Sequence, residues 1–406
     1  MSSPTNNAPN TVPSSLLPAN PAAAAAAPAP VPFSTPTLLA AMLKTSPKIS
    51  DLFFSPGKPP LVEIGGKLSP AGIARPLTSE DTQRISSDLI GNHQQAIQNL
   101  KERGSCDVSY SLPGAHRFRV NIFMQRGTCA IVMRVIPSKV PPFESLNLPA
   151  ELAKIVGLRN GIVLVTGPTG SGKSSTLAAI IDKINKEQYY HVLTIEDPIE
   201  FLHPHKNCVV NQRELHSDTP SFALALRAAL RQAPKVILVG EMRDKETIEI
   251  AMEAAETGHL VLSTLHTIDA SKTVERIVGV FPMAEQHTLR NRLAKSFRYI
   301  ISQRLLPRKD GAGRVAVIEI LKSTLRTREY VEKGEVEGKT LLDAMRVGEQ
   351  EGMQHFDGDI ERLIRNGTID RDTGLAYATN PGNLQLDLSD LGSASEPDPL
   401  LETSDK

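Results

Sequence analysis

Residues 167–174 read GPTGSGKS, and this segment restricts the fold of the 406-residue chain more than any other. A mostly apolar run at 162–165 precedes it, and residues 173–184 follow with apolar side chains at helical spacing. A glycine-rich loop between a buried strand and a helix presents backbone amides and a helix N-terminus to phosphate groups. The sequence therefore predicts a phosphate-binding loop in a parallel α/β sheet.

Each residue type in this loop has a chemical task. Gly167, Gly170 and Gly172 let backbone amides approach phosphate oxygens, Lys173 neutralises the β- and γ-phosphates, and the Ser174 hydroxyl can ligate magnesium. We therefore predict that the chain binds and hydrolyses ATP with Mg²⁺. The predicted nucleotide-binding residues are Gly167, Pro168, Thr169, Gly170, Ser171, Gly172, Lys173, Ser174 and Ser175.

Acidic residues follow two further apolar runs. Glu196 and Glu200 come after residues 192–195, and Glu241 comes after residues 236–239. The carboxyl ends of parallel strands meet at the ligand-binding edge of such a sheet, where a carboxylate can orient water or hold a hydrated metal ion. The alternative for each residue is a solvated charge at a strand end or a helix cap.

Two histidines and two arginines are further candidates. His266 follows the apolar run at 260–265, at the predicted nucleotide edge, and could sense the γ-phosphate, whereas His259 lies at the start of that run. A histidine at a strand end is also common as an ordinary surface residue. Arg119 and Arg134 lie outside this region and could act as arginine fingers, or could be surface residues of an edge strand.

Composition and periodicity divide the chain into segments. A Gly65-Gly66 hairpin, a helix from Ser79 and an alternating strand at 117–123 indicate an α+β domain before the nucleotide domain. The uncharged N-terminus and the acidic C-terminus can bury too little apolar surface to offset the conformational entropy that they would lose on ordering. The predicted segments are a disordered leader at 1–36, an α+β domain at 37–137, a linker at 138–149, an ATPase core at 150–284, a mainly helical part at 285–379 and a disordered acidic tail at 380–406.

Bulk composition narrows the function classes. Lysines and arginines number 45, as do aspartates and glutamates, so no overall field attracts nucleic acid. The three cysteines, Cys106, Cys129 and Cys208, are too few and too scattered for a disulfide framework or a zinc cluster. No apolar run reaches the roughly 18 residues of a membrane-spanning helix. We therefore predict a cytoplasmic chain without a transmembrane segment and without a nucleic-acid partner.

Six segments together resemble a known family. The segments GPTGSGKSSTLAAIID, TIEDPIEF, VNQRE, VILVGEMRD, AAETGHLVLSTLHT and GMQHFD are similar to the PilT/PilU-type retraction motors of type IV pili, within the secretion ATPase superfamily. The resemblance covers about residues 37–375. It implies a PAS-like N-terminal α+β domain, a RecA-like P-loop NTPase domain with a helical C-terminal extension, and a homohexameric ring.

The resemblance also implies roles for single residues. Glu200 matches the catalytic acid of the acidic box, and Glu241 matches the Walker B acid, which would act on Mg²⁺ through water. His259 and His266 match the histidine box. Arg119 and Arg134 match arginines that reach the γ-phosphate from the N-terminal domain.

The function implied is a motor that powers pilus retraction and twitching motility from the cytoplasmic side of the inner membrane, at a platform protein of the pilus base. Extension motors usually carry a four-cysteine zinc module, and this chain has no cysteine after Cys208, which favours retraction. Residues 321–335, LKSTLRTREYVEKGE, differ from the AIRNLIRE-like segment of PilT, and residues 203–206 and 231–234 look like PilU. The alternative is thus a PilU-like accessory ATPase that assists a paralogous motor. A remote alternative is a nucleic-acid translocase, against which stand the neutral charge and an aromatic content of 4 %.

Overall fold

A computed structural model describes residues 34–112, 116–137 and 139–389 of the chain. The predicted disordered leader, 1–36, falls outside these ranges except for its last three residues, and so does the predicted tail from residue 390 onward. The first part of the described chain contains α1 (Thr35–Leu43), β1 (Ile49–Phe54), β2 (Leu61–Ile64), β3 (Lys67–Pro70), α2 (Ser79–Ile90), α3 (Gln94–Arg103), β4 (Ser105–Leu112), β5 (His116–Gln125) and β6 (Thr128–Ile136).

These elements form an α+β unit around an antiparallel sheet with the order β3-β2-β1-β6-β5-β4. The predicted hairpin is present, since Ile64 pairs with Lys67 and both intervening glycines have positive φ. The predicted helix begins at Ser79, where the Thr78 and Asp81 side chains form a capping box. The alternation in β5 places Phe118, Val120 and Ile122 in the core. In this part of the chain, local sequence signals were sufficient to predict the hairpin, the start of α2 and the buried face of β5.

The segment between the two sheets carries two 3-10 helices, Phe143–Leu146 and Ala150–Gly157. Phe143 and Leu148, from the stretch predicted to be a linker, pack against the core of the second unit. The connection is therefore partly docked on the sheet that follows it.

The second unit contains the remaining elements of the described chain. They are β7 (Gly161–Thr166), α4 (Lys173–Glu187), β8 (His191–Glu196), β9 (Val209–Glu214), α5 (Phe222–Ala229), β10 (Val236–Val239), α6 (Lys245–Glu256), β11 (Leu260–Leu265), α7 (Ala270–Gly279), α8 (Met283–Ser296), β12 (Phe297–Pro307), β13 (Arg314–Lys322), α9 (Leu325–Lys333), α10 (Leu341–Val347), α11 (Phe356–Arg365), α12 (Arg371–Tyr377) and α13 (Pro381–Asp387).

The sheet of this unit has the order β13-β12-β7-β11-β10-β8-β9. All neighbouring strands run parallel except β12 and β13, which pair antiparallel. Separate apolar clusters cover its two faces. The predicted α/β sheet is confirmed, because helices pack on both sides of parallel strands.

The predicted boundary at residue 284 is wrong. β12 pairs in parallel with β7, so the sheet that carries the phosphate-binding loop continues to Lys322. The sequence indicated a strand only at 314–320 in this region. The strand at β12 escaped prediction because Arg298, Gln303 and Arg304 interrupt its apolar pattern, although Gln303 is itself buried.

The predicted disordered tail begins too early. Residues 381–387 form α13, which starts with Pro381 and is capped by the Asn380 side chain. Leu384 and Leu388 are fully buried with Phe356 and Ile360 in a small apolar cluster. Burial of these two leucines holds the segment on the C-terminal helices despite its polar composition.

None of the described helices combines the length and the apolar character that a membrane-spanning helix requires.

Candidate functional site

The phosphate-binding loop connects β7 to α4. Gly167 has a φ of +143°, and a Cβ atom there would lie 2.3 Å from the Gln303 carbonyl oxygen. Gly172 caps α4 with a φ of +91°, and its Cβ would lie 2.8 Å from Gln303 Nε2. Because the loop lies directly on β12 and both residues have a positive φ, only glycine fits these two positions. The Ser171 hydroxyl is buried and has no hydrogen-bond partner among the described residues. A cradle of this shape fits a phosphate group.

Lys173 is the first residue of α4, and its ammonium group turns back over the loop. Its Nζ donates to the carbonyl oxygens of Gly167, at 2.8 Å, and Pro168, at 3.1 Å. Burial lowers the pKa of Lys173, while the charge of Glu241 raises it. Ser174 is exposed and Ser175 half-buried in the same turn, so the Ser174 hydroxyl is open to a ligand.

Sheet order brings Glu241 and His266 to this lysine. β11 lies between β7 and β10, so the residue after β11 is next to both the loop after β7 and the residues after β10. His266 Nδ1 lies 3.5 Å from Lys173 Nζ, and His266 Nε2 lies 3.6 Å from Glu241 Oε2. The Arg243 guanidinium also pairs with Glu241, at 2.6 Å. The structure thus brings three predicted site residues together.

Burial lowers the pKa of His266 below the ordinary histidine value, and the charge of Lys173 lowers it further. The carboxylate of Glu241 raises the pKa of His266, and the charge of Arg243 lowers it. The net lowering of its pKa favours the neutral imidazole, which can donate one hydrogen bond and accept another.

The acidic segment after β8 folds into a loop around Glu196. The Glu196 carboxylate is buried and accepts hydrogen bonds from Thr194 Oγ1, at 2.6 Å, and Gln212 Nε2, at 3.1 Å. Burial raises its pKa, and the two donors partly offset that effect. The Glu200 side chain is exposed, and its backbone amide lies 3.5 Å from Glu196 Oε2. Of the two acids, Glu196 shapes the loop and Glu200 is accessible to a ligand.

The predicted arginines lie in the first sheet. Arg119 and Arg134 face each other directly on β5 and β6. Arg134 Nε donates to Asp51 Oδ1 at 3.0 Å, and Arg119 is exposed. Neither guanidinium forms a hydrogen bond to the phosphate-binding loop within the described ranges.

His259 lies apart from the other site residues. It precedes β11, and its carbonyl oxygen accepts from the amide of Gly161, the first residue of β7. The phosphate-binding loop is at the opposite end of that strand, about 20 Å away at the rise of a six-residue strand. Nδ1 of the His259 ring donates locally to the Ala254 carbonyl oxygen, at 2.9 Å. Within one chain, His259 therefore lies away from Lys173 and the phosphate-binding loop.

One contributor to the site had no signal in the sequence. Gln303 of β12 lies under the loop, and its Oε1 accepts from Thr176 Oγ1 of α4 at 2.8 Å. The position could have been found only by predicting β12 as a sheet strand. Among the described residues no cluster of three or more His, Cys, Asp or Glu could hold a metal ion, and the three cysteines are buried and free.

Comparisons with known proteins agree with this geometry. The family model described as Type II/IV secretion system protein matches residues 104–366. A Pseudomonas aeruginosa protein named type IV pilus retraction ATPase PilT is 44 % identical over 334 residues, which are 82 % of this chain and 95 % of that one. The type IV pilus ATPase PilU of the same organism is 39 % identical over 351 residues, 86 % of this chain and 90 % of its own length.

A solved structure gives the same result. The crystal structure of the pilus retraction motor PilT with bound ADP is similar with a TM-score of 0.76 and 40 % identity. The match covers 85 % of this chain and 98 % of the other. The predictions of an α/β ATPase fold, of nucleotide binding and of the PilT/PilU resemblance are confirmed. This chain belongs to the Type II/IV secretion ATPase family, in its PilT/PilU branch, and is an ATPase.

Proposed function

We propose that this chain is a hexameric motor that uses ATP hydrolysis to power type IV pilus retraction and twitching motility. The observation that carries the proposal is the convergence of Lys173, Glu241 and His266 at the ends of neighbouring strands. The similarity to proteins named for pilus retraction and for twitching motility supports the choice of task.

The nucleotide would be held by residues 167–175. Backbone amides of the loop and the Lys173 ammonium group would bind the phosphates, for which Lys173 must leave the carbonyl oxygens of Gly167 and Pro168. The Ser174 hydroxyl, with Glu241 acting through water, would hold Mg²⁺. When bound, the ion would neutralise charge that develops on the phosphate oxygens.

Hydrolysis needs a residue that orients water and groups that stabilise charge on the γ-phosphate. Glu200 would orient the water, because its side chain is exposed while its backbone is tied to the buried Glu196. Neutral His266 would donate a hydrogen bond to the γ-phosphate. Arg119 and Arg134 would reach it from the first sheet, which requires the first unit to move toward the loop.

The first unit would be PAS-like and the second RecA-like, and six copies would close a ring on the cytoplasmic side of the inner membrane. There the ring would engage a platform protein of the pilus base. His259, far from the loop of its own chain, would serve as a histidine-box residue in an indirect role only.

The proposal is tested with the purified full-length chain and a strain that lacks it. We expect steady-state ATP hydrolysis that Glu200→Gln and Glu241→Gln each reduce by about 100-fold or more. The deletion strain should be hyperpiliated and non-twitching, and Lys173→Ala should not restore motility. Normal twitching in the deletion strain would count against retraction, and strong stimulation of hydrolysis by DNA would favour a nucleic-acid translocase.

A second candidate is a PilU-like ATPase that assists a paralogous motor. The observation that favours it is the departure of residues 321–335 from the segment of PilT, and the chain is also similar to PilU over 90 % of that protein. An accessory subunit should hydrolyse little ATP alone and gain activity with its paralogue, and its deletion should impair twitching only mildly. Robust hydrolysis by the isolated protein that Glu241→Gln abolishes would exclude this role.

A further inference from the structure

Glu214, the last residue of β9, is a buried carboxylate that contacts both units of the chain. Its side chain is 4 % exposed. Oε1 accepts a hydrogen bond from Ser109 Oγ of β4, and Oε2 accepts from Arg117 Nη2 of β5 at 3.0 Å. Oε2 also accepts from the backbone amide of Ile199 at 3.0 Å. Two donors thus come from the first sheet and one from the acidic loop of the second unit.

The charge of Glu214 is well shielded from water. The Arg117 side chain is only 20 % exposed, so the ion pair lies largely in a medium of low dielectric constant. In such a place the loss of one partner leaves the other charge buried and unpaired, which is costly. The neighbouring contact between His93 Nε2 of α3 and the His216 carbonyl oxygen, at 2.9 Å, closes the same junction. The junction is therefore a built contact between the units.

On one side, Glu214 determines the position of the acidic loop. The amide of Ile199 is bound to Glu214, and the next amide, that of Glu200, lies 3.5 Å from Glu196 Oε2. Two consecutive amides thus face two buried carboxylates. The backbone of Glu200 is placed by this pair, while its side chain stays exposed.

On the other side, Glu214 determines the position of the arginine strand. Arg117 and Arg119 are two residues apart on β5, so their side chains leave the same face of the sheet. Ser109, the second donor to Glu214, pairs directly with Arg119 across β4 and β5. Arg134 is the partner of Arg119 on the other side. The contact surface of Glu214 therefore borders the two arginines that the proposed function assigns to the γ-phosphate.

We infer that Glu214 is a positioning residue that couples the placement of the Arg119 strand to the orientation of Glu200. A change in the approach of the first unit pulls on Arg117 and Ser109, and through Glu214 on the amide of Ile199. The orientation of the attacking water by Glu200 and the stabilisation of charge on the γ-phosphate by Arg119 then depend on the same contact. The inference rests on the proposed hydrolytic roles of Glu200 and Arg119.

The experiment compares Glu214→Gln, Arg117→Gln and the double variant of the full-length protein. The glutamine removes the charge that holds Arg117, and its neutral amide oxygen is a weaker acceptor for the Ile199 amide than the carboxylate. We expect each single variant to lose about tenfold in kcat while KM for ATP changes less than about twofold. The double variant should lose no more than the worse single variant, because both changes break one interaction. Glu361→Gln, which removes the 2.7 Å ion pair with Arg365 on α11, is the matched control.

Hydrogen exchange separates positioning from general stability. In Glu214→Gln the peptide over residues 194–203 should exchange faster, while the peptide over α4 should not change. If the variant does not fold, Ser109→Ala tests the same junction with the same two measurements. Unchanged kcat and unchanged exchange at 194–203 would overturn the inference, and so would faster exchange throughout the second unit. If Glu200→Gln leaves kcat intact, the proposed hydrolytic role fails, whereas the exchange result still decides whether Glu214 holds the loop.

Discussion

Glu241 Oε2 lies 3.6 Å from Nε2 of His266, so the carboxylate after β10 directly faces the imidazole after β11. The negative charge favours the imidazolium and raises the pKa of His266 against the opposing effects of burial and Lys173. We expect Glu241→Gln to lower the pKa of His266 further, measured by an NMR titration of the ring Cε1 signals. A rise in this pKa would contradict the geometry, and Asp310→Asn, in a remote surface turn, is the control.

Lys173→Ala should remove nucleotide affinity without loss of stability. The ammonium group donates only to two loop carbonyl oxygens and approaches His266, and its burial lowers its pKa, so the folded protein gains little from it. We expect an ATP affinity at least about 100-fold weaker in a titration with a fluorescent nucleotide analogue. The midpoint of thermal unfolding without nucleotide should not fall. A large drop in that midpoint would show that the lysine has a structural role.

Glu319→Gln should stabilise the protein at alkaline pH. Burial raises the pKa of Glu319 from 4.5 to about 7, so its neutral form contributes stability below pH 4.5 that is lost as the pH rises through 7. Glutamine is always neutral and keeps the acceptor for Ala270 N and Ser302 Oγ. Above pH 8 the variant should be more stable by up to about 3 kcal/mol, as measured by urea unfolding. At pH 5 the two proteins should differ little, and equal stability at both pH values would contradict the assignment.

His203→Leu should weaken the loss of stability in acid. Burial lowers the pKa of His203 from 6.5 to about 4, so the neutral ring stabilises the fold above pH 6.5, and this contribution is lost as the pH falls through 4. Its Nδ1 is buried without a hydrogen-bond partner in the described part of the chain. We expect the unfolding free energy of the variant to fall less between pH 7 and pH 4.5 than that of the natural protein. His287→Leu, at an exposed position, should show the natural pH dependence.

Much of the site followed from local sequence signals. The loop at 167–174 has its own spacing, and the rule that strand ends share one edge was enough to place Glu241 and His266 near Lys173. The same rule separates His259, which precedes its strand, from this edge. These residues were predictable because the loop spacing, and the position of each residue before or after its strand, can be read from a few neighbouring residues in the sequence.

Other features depend on residues far apart in the chain. Gln303 enters the site only because β12 pairs with β7, and the sequence of β12 has no clean alternation. Glu214 meets Ser109 and Arg117 across more than 90 positions, and no local pattern reports such a contact. Likewise, α13 looks like a polar tail until Leu384 and Leu388 are seen against α11. Tertiary packing supplied these parts of the structure.

The extension of the sheet by β12 and β13 has a mechanical consequence. Thr166 Oγ1, beside the phosphate-binding loop, donates to Ser302 Oγ at 3.1 Å, and Ser302 donates to Glu319 at 3.0 Å. The phosphate-binding loop and the C-terminal helices are thus attached to one continuous sheet. Close packing lets such a sheet move as a rigid body but resists its bending. If ATP hydrolysis displaces the phosphate-binding loop, the helices after β13 should move with it, because both are attached to the same sheet.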